Sequence, residues 1–489
     1  MDFDKPRLII AALRGGSGKT VVSLGLVAAW KQYLGLRIVP FKKGPDYIDA
    51  GWLGVAAGHP CYNLDPFLME PQEIVRSFAR HSAFGDGSLI EGNRGLYDGV
   101  DASGSYSTAE LAKLLRAPVI LVVDATKVTR TAAALVLGCQ GLDPEVNIAG
   151  VILNQVAGKR HERVLRESIE QYCRVPVLGV ISKEGGSFFP ERHLGLVPPQ
   201  ESENTSAAVS YAASRMKDCL DIEALWKVAR SAGTLGWPYS GADPERRSSV
   251  PVRIGVVRDA AFQFYYPENL EALADRGAAL IEISSFKNSP LPEVDALYIG
   301  GGFPESHLEV LAGNSVFRES VKAAIEGGLP VYAECGGLMF LCNRIQHHDR
   351  VYPMAGIFPF GIALGPKPQG HGYTVMECVN DNPFFEKGSV LRGHEFHYSR
   401  ITDELDPGSF PFVFKLKKGH GIVAGWDGIC YKNALAAYSH IHAVGNENWA
   451  NAMIAAAQSY KSSKFSVSPD SGCGLGKANS GSHSHPTVY

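Results

Sequence analysis

Glycine stands beside reactive side chains at three places in this chain. The first is "LRGGSGKT" (13–20), where Gly16, Ser17 and Gly18 run into Lys19 and Thr20. Backbone N–H groups of such a loop cradle phosphates, the lysine ammonium reaches the terminal oxygens, and the hydroxyl can hold magnesium. The full pattern G-x-x-x-x-G-K-[ST] asks for glycine at 13, and the chain has Leu13 there, so the loop is a variant. The second place is a pair of charged stretches, "FKKGPDYIDAGW" (41–52) with Lys42, Lys43, Asp46 and Asp49, and "IEGNRGLYDG" (90–99) with Glu91 and Asp98. The third is "YAECGGLMF" (332–340), where Cys335 precedes Gly336 and Gly337. A thiol on such a corner can attack a carbonyl carbon while backbone N–H groups face the developing oxyanion. "YIGGGFPESH" (298–307) offers Gly301 and Gly302 to the same hole, and "AAYSHIHA" (436–443) offers His440 as the base.

These residues need strands and helices to hold them. "RLIIAAL" (7–13), "RIVPFKK" (37–43), "GSLIEG" (87–92), "PVILVVDAT" (118–126), "IAGVILNQ" (148–155) and "VPVLGVIS" (175–182) are short, nearly continuous apolar runs. Runs of that kind suit a parallel sheet covered by helices on both faces. The phosphate loop then falls between the first strand and the helix "KTVVSLGLVAAWKQYL". In a doubly wound sheet the strand C-terminal ends line one crevice, so the acids at the strand exits should converge on the phosphates. Residues 231–251 turn to Ser, Gly, Pro and charge and read as a linker. The apolar runs resume at "VRIGVVRD" (252–259), "ALIEISS" (279–285), "ALYIGGGFPE" (296–305) and "LPVYAECGG" (329–337). The expected organisation is an α/β phosphate-loop domain over 1–230, a second α/β domain over 252–450, and a Ser/Gly-rich, disordered tail over 460–489. In the second domain the strand-to-helix corner should expose the Cys335 thiol and place it at a helix N-terminus, which favours the thiolate.

Composition narrows the class. The 489 residues carry a formal net charge of −3, with 45% hydrophobic and 20% charged residues. That balance excludes nucleic-acid binding by bulk charge. No apolar run reaches the roughly 18–20 residues that cross a bilayer, and the start of the chain shows no export signal. No membrane contact and a cytoplasmic setting are therefore expected. The nine cysteines include no C-x-x-C pair, so reduced thiols filling the core are expected apart from Cys335. His483 and His485 in the tail read as solvated residues rather than metal ligands.

"GPDYID", "EG..GLYDG" and the loop before them resemble the corrin a,c-diamide synthases of cobalamin biosynthesis, whose first half is similar to dethiobiotin synthetase. The resemblance implies an enzyme that phosphorylates a substrate carboxylate with ATP and lets ammonia displace the phosphate. It assigns Lys19, Thr20 and Glu91 to Mg²⁺-ATP, with Thr20 and Glu91 on the metal. Lys42, Asp46, Tyr47, Asp49 and Asp98 go to the substrate and phosphoryl site, and Asn154 to the adenine. The chain departs from the usual pattern at Asn93–Arg94, where a small or apolar pair is more common. The second half resembles a class I glutamine amidotransferase domain, which implies L-glutamine as nitrogen donor, Cys335 as nucleophile and Gly301, Gly302 and Gly336 as the oxyanion hole. The usual domain has a His-x-Glu pair, where this chain has His440–Ile441–His442. "GHGYTV" (370–375) and "RGHEFHYS" (392–399) are typical of the same family, and the resemblance assigns His394, Glu395 and His397 to structural or interdomain contacts. The implied substrate is a corrinoid, with cobyrinate the default. Hydrogenobyrinate and nickel-sirohydrochlorin stay open, as does cobyric acid synthase. "RGGSGKT" also resembles the loop of partition-type ATPases, a switch class that the acids and the second half disfavour.

Overall fold

The computed structural model describes residues 2–183, 191–192, 195–202, 204–236, 251–403, 405, 410–423 and 425–466. The first half is built on seven strands: β1 (Arg7–Ala12), β2 (Ile38–Lys43), β3 (Tyr62–Leu64), β4 (Gly87–Glu91), β5 (Val119–Asp124), β6 (Ile148–Val156) and β7 (Val177–Ser182). They lie in the order β3-β2-β4-β1-β5-β6-β7, and every pairing is parallel. Leu8, Ile9 and Ile10 are fully buried in succession, as a strand covered on both faces requires. Helix α1 (Lys19–Leu34) follows β1 and is itself buried along most of its length. It packs against the helix Thr205–Cys219 so closely that a Cβ on Gly25 would sit 2.9 Å from the Ala212 carbonyl oxygen.

The second half carries a ten-stranded mixed sheet. Its strands are β8 (Val252–Val257), β9 (Ala278–Ile283), β10 (Ala296–Ile299), β11 (Val331–Glu334), β12 (Gly370–Cys378), β13 (Val390–His397), β14 (Phe412–Lys418), β15 (Trp426–Tyr431), β16 (Ala434–Ala437) and β17 (His440–Ile441). The order is β9-β8-β10-β11-β16-β15-β14-β12-β13-β17. The first five are parallel and the rest antiparallel. A six-residue helix, α2 (Gly336–Leu341), starts directly after Cys335 at the end of β11. The two halves touch through polar contacts and ring stacks: the Asn63 N–H donates to Glu268 Oε1 at 3.0 Å, Tyr62 to Glu271 at 2.9 Å and Tyr373 to Asp65 at 2.9 Å, and the Phe67 and Tyr373 rings stack at 4.2 Å.

All ten apolar runs expected as strands are strands. The short β3, the strand β16, which runs parallel to β11, and the antiparallel strands β12 to β15 and β17 were not expected. The helix Asn448–Ser466 extends into the expected tail, so 460–466 are helical, because Trp449, Met453 and Ala457 bury one of its faces on the second sheet. The remainder of the tail, with His483 and His485, and residues 237–250 of the expected linker lie outside the described residues. Within the linker, Leu235–Gly236 pairs with Asp2–Phe3. Among the described residues no helix is long and apolar enough to cross a membrane. The eight described cysteines are unpaired thiols.

Candidate functional site

The loop after β1 turns through Gly16 and Gly18 at φ +75° and +89°, which glycine adopts without strain. Ser17 Oγ donates to the Arg14 carbonyl at 3.0 Å, and Asn154 Nδ2, from β6, donates to the Ser17 carbonyl at 2.9 Å. Asn154, expected at the adenine, thus braces the loop from beside it. Lys19 Nζ donates to the carbonyl of Arg94 at 2.6 Å. Burial, then the charge of Lys42, lowers its pKa to about 8. Asp98 caps its own loop, with Oδ2 accepting the Gly95 N–H at 2.8 Å, and its charge acts on Lys19.

The acids from β2 and β4 converge as the strand-exit rule predicts. Thr20 Oγ1 donates to Glu91 Oε1 at 2.8 Å and lies 3.3 Å from Asp49 Oδ2. Lys42 differs from expectation. It is 2% exposed, and its ammonium bridges Asp49 and Glu91 at 2.7 Å each. Burial works against that charge, but the two carboxylates hold it well above the ordinary lysine value. Its place is between the acids, as a counter-ion, because β2 points it into the same layer as α1. Asp46 Oδ1 accepts the Asp49 N–H at 2.8 Å, and burial followed by the Asp49 charge raises its pKa to about 7. Glu91 Oε2 is buried without a hydrogen-bond partner. That orphaned oxygen, with the Thr20 hydroxyl on the other oxygen of the same carboxylate, is a donor set of the kind a hard divalent cation such as magnesium takes.

Across the junction, Cys335 holds φ +49° and ψ −96°, a conformation that costs about 1–3 kcal/mol and clusters at functional sites. It is pinned by its own N–H to the Ala437 carbonyl at 2.7 Å and by the Met339 N–H to its carbonyl at 3.0 Å. The thiol is not the exposed group that was expected. It is 6% exposed, and burial, with Glu305 next, pushes it well above the ordinary thiol value. The Gly336 N–H faces the sulfur, but helix α2 is too short to outweigh the loss of water. The three expected oxyanion glycines do pack together: the Gly302 nitrogen lies 3.2 Å from where a Gly336 Cβ would be. A Cβ on Gly301 would sit 2.5 Å from His440 Cε1 and 3.2 Å from its Nε2, so Nε2 is the nitrogen turned to this corner.

The partner of His440 was missed. His440 Nδ1 lies 3.4 Å from Oε2 of Glu334, the residue before the nucleophile. Glu334 is 1% exposed and accepts from Tyr298, Tyr332 and the Ile441 N–H at 3.0, 3.2 and 3.1 Å. Glu334 is thus a carboxylate within ion-pair distance of His440 Nδ1, although that nitrogen makes no hydrogen bond to it. His442 lies beside Glu268 instead, at 3.6 Å. Of the 394–397 cluster, His397 stacks on Tyr438 at 3.7 Å, Glu395 accepts the Gly421 N–H at 2.8 Å, and His394 stacks on His440 at 4.9 Å. Burial, then His440 and His442, keep His394 neutral by lowering its pKa far below the usual value. Among the described residues no group of three His, Cys, Asp or Glu side chains is arranged to hold a metal.

A cavity of about 150 Å³ joins the two sides: Cys335, His440 and Gly302 border it, and so do Asp46 and Tyr47. Tyr47 was expected at the phosphoryl site. Its ring points the other way, lying flat on Phe264 of the second half (5.1 Å, 4°) and 5.4 Å from the His440 ring.

Residues 8–196 match the family described as the CobQ/CobB/MinD/ParA nucleotide binding domain. Residues 253–448 match the CobB/CobQ-like glutamine amidotransferase domain, which sets the chain apart from a partition ATPase. Over 454 residues it is 42% identical to the cobyrinate a,c-diamide synthase of Magnetococcus marinus, covering 92% of this chain and 97% of that one. The protein of the same name from Methanothermobacter thermautotrophicus is 39% identical, with 89% and 96% covered. That from Dehalococcoides mccartyi is 38% identical, with 92% and 97% covered.

Proposed function

The chain belongs to the cobyrinate a,c-diamide synthase family, and on that premise we propose that it converts the a and c carboxylates of cobyrinate to carboxamides, with ATP and L-glutamine, in the cytoplasm. The observation that carries the reading is a cavity bordered by Cys335 and His440 on one side and by Asp46 on the other.

In the glutaminase half, the Cys335 thiol is protonated at rest, so His440 Nε2 takes its proton as the sulfur attacks the glutamine side-chain amide. Glu334 steadies the imidazolium that forms. The Gly302 and Gly336 N–H groups face the oxyanion. Collapse of the adduct returns the proton to the leaving nitrogen, releases ammonia and leaves a thioester that water hydrolyses to glutamate. In the synthetase half, the loop N–H groups and Lys19 bind the ATP phosphates, and a substrate carboxylate oxygen attacks the terminal phosphorus with ADP leaving. Asp46, Asp49 and Asp98 orient that carboxylate. Thr20 and Glu91 would hold a magnesium ion, which supplies charge neutralisation at the phosphates. Ammonia crosses the shared cavity and displaces phosphate from the acyl phosphate, giving the amide.

The test is the purified protein with ATP, glutamine and each of cobyrinate, hydrogenobyrinate and nickel-sirohydrochlorin, with products weighed by mass spectrometry. Two amides gained on cobyrinate is the expected result. Four would mark a cobyric acid synthase, and none on any macrocycle would end the reading.

A further inference from the structure

Lys42 and Lys43 close the same strand, β2, and face opposite sides of the sheet, as successive strand residues must. Lys42 is held between two carboxylates. Lys43 is 5% exposed, yet its ammonium has neither a hydrogen bond nor an ion pair among the described residues. The carboxylate on its side, Asp65, is committed elsewhere. Its Oδ1 accepts the Phe67 and Leu68 N–H groups at 2.8 and 3.3 Å, and its Oδ2 accepts the Tyr373 hydroxyl of the second half at 2.9 Å. A second cation stands close by. Burial lowers the Lys43 pKa, the Asp65 charge opposes the fall, and the Arg94 charge adds to it. The Arg94 guanidinium also has no ion pair among the described residues. Its backbone sits in a left-handed turn at φ +50°, strain of a kind that clusters at functional sites. That turn lies against the exit of β2, where a Cβ on Gly44 would meet Asn93 Nδ2 at 3.0 Å. The Arg94 carbonyl receives the Lys19 ammonium, so the two cations border the phosphate loop.

Two cations facing one committed carboxylate repel each other, and a buried ammonium without an acceptor is costly in itself. An anion between them relieves both costs. We infer that Lys43 and Arg94, with the Asn93 amide beside them, form an anion site that holds a macrocycle carboxylate other than the one being phosphorylated. The inference rests on the function proposed above, whose substrate carries further carboxylates whichever one is being activated. The nucleotide phosphates already have the loop N–H groups and Lys19, which leaves a carboxylate as the occupant. Residues 93–94 are also where the chain departs from the usual small or apolar pair, so this grip on the substrate belongs to this chain.

The measurement is the steady-state rate of amide formation, with KM determined separately for cobyrinate and for ATP, in the wild type, Lys43→Met and Arg94→Met. Each substitution keeps an unbranched stem and removes the charge. Each should raise the KM for cobyrinate about tenfold, the worth of one charge-assisted hydrogen bond. The KM for ATP and kcat should stay at the wild-type values. The melting temperature of Lys43→Met should hold or rise, because a buried unpaired charge is removed. An unchanged KM for cobyrinate in either variant overturns the inference while leaving the function intact. A rise confined to the KM for ATP overturns it by giving the site to the nucleotide. A lowered melting temperature with both KM values raised marks a structural role and overturns it as well. If Lys43→Met does not fold, Arg94→Met, at an exposed position, decides alone by the same readings. A wild type that forms no amide on any macrocycle removes the function and the site together.

Discussion

Glu334 shows how much a single side chain can be committed to one neighbour. Its carboxylate is removed from water, receives three hydrogen bonds, and still presents Oε2 to His440 Nδ1. Glu334→Gln keeps the shape but loses the charge that favours the imidazolium. It should lower glutamine-dependent amidation by about 10²–10⁴-fold, as such orienting carboxylates do, with far less effect when ammonium chloride is the nitrogen source. An equal loss from both sources would place Glu334 in the fold rather than the triad. The sequence hid it because the search for a partner followed the neighbours of His440, and the partner precedes the nucleophile instead. Asp46 offers a second residue-scale test. Its pKa is raised to about 7 in the fold, against about 4 in an unfolded chain. The folded protein holds the extra proton between those values, so stability falls as pH rises through that window. Asp46→Asn retains an oxygen to accept the Asp49 N–H without the charge. Its melting temperature should exceed the wild type's by a few degrees at about pH 8, with the gap narrowing as pH falls and closing only below about pH 4, while amidation drops sharply. A gap of the same size at both pH values, read by calorimetry, would contradict the buried-charge account.

At the level of elements, the parallel strands could be read and the antiparallel ones could not, for a physical reason. β1 and β5 are apolar at nearly every position because helices cover both faces. β12, "GHGYTVMEC", and β14, "FVFKLKK", bury only part of their side chains, with Met376, Cys378, Val413 and Phe414 in the core beside the helix that carries Trp449. Their polar positions break the apolar run that marks a buried strand. Turns were the more legible elements, because glycine is demanded there by space. Gly301, at the exit of β10, is such a position, since any Cβ would press on the His440 ring. Gly301→Ala should abolish most glutamine-dependent synthesis by displacing the base and should spare ammonium-fed synthesis. The check is the ratio of the two rates, and a proportionate fall in both would mean the turn had simply unfolded.

Across the whole molecule, the order of the two halves was evident from the sequence, but their joint was not. Contacts such as Tyr62–Glu271, Asn63–Glu268 and Tyr373–Asp65 link single polar residues far apart in the chain. Nothing in their local surroundings marks them, and the same holds for Tyr47, whose motif suggests the phosphate side. The halves nevertheless carry separable chemistry, so they should fail separately. Cys335→Ala removes the thioester route and should abolish glutamine-supported amidation, yet free ammonia at alkaline pH can enter the cavity and reach the acyl phosphate without a thiol. Lys19→Ala leaves the phosphate charge unopposed and should lose at least about a hundredfold with either nitrogen source, since no carboxylate is activated. His440→Ala should follow Cys335→Ala with little residual glutaminase, because burial keeps the thiol protonated when no base takes the proton. Amide formation by the three variants, with glutamine and with ammonium chloride, gives the pattern. Full glutamine-dependent activity in Cys335→Ala would return Cys335 to a strained, buried corner without a role in the reaction. An ammonium-competent Lys19→Ala would detach the phosphate loop from the carboxylate it is placed to activate.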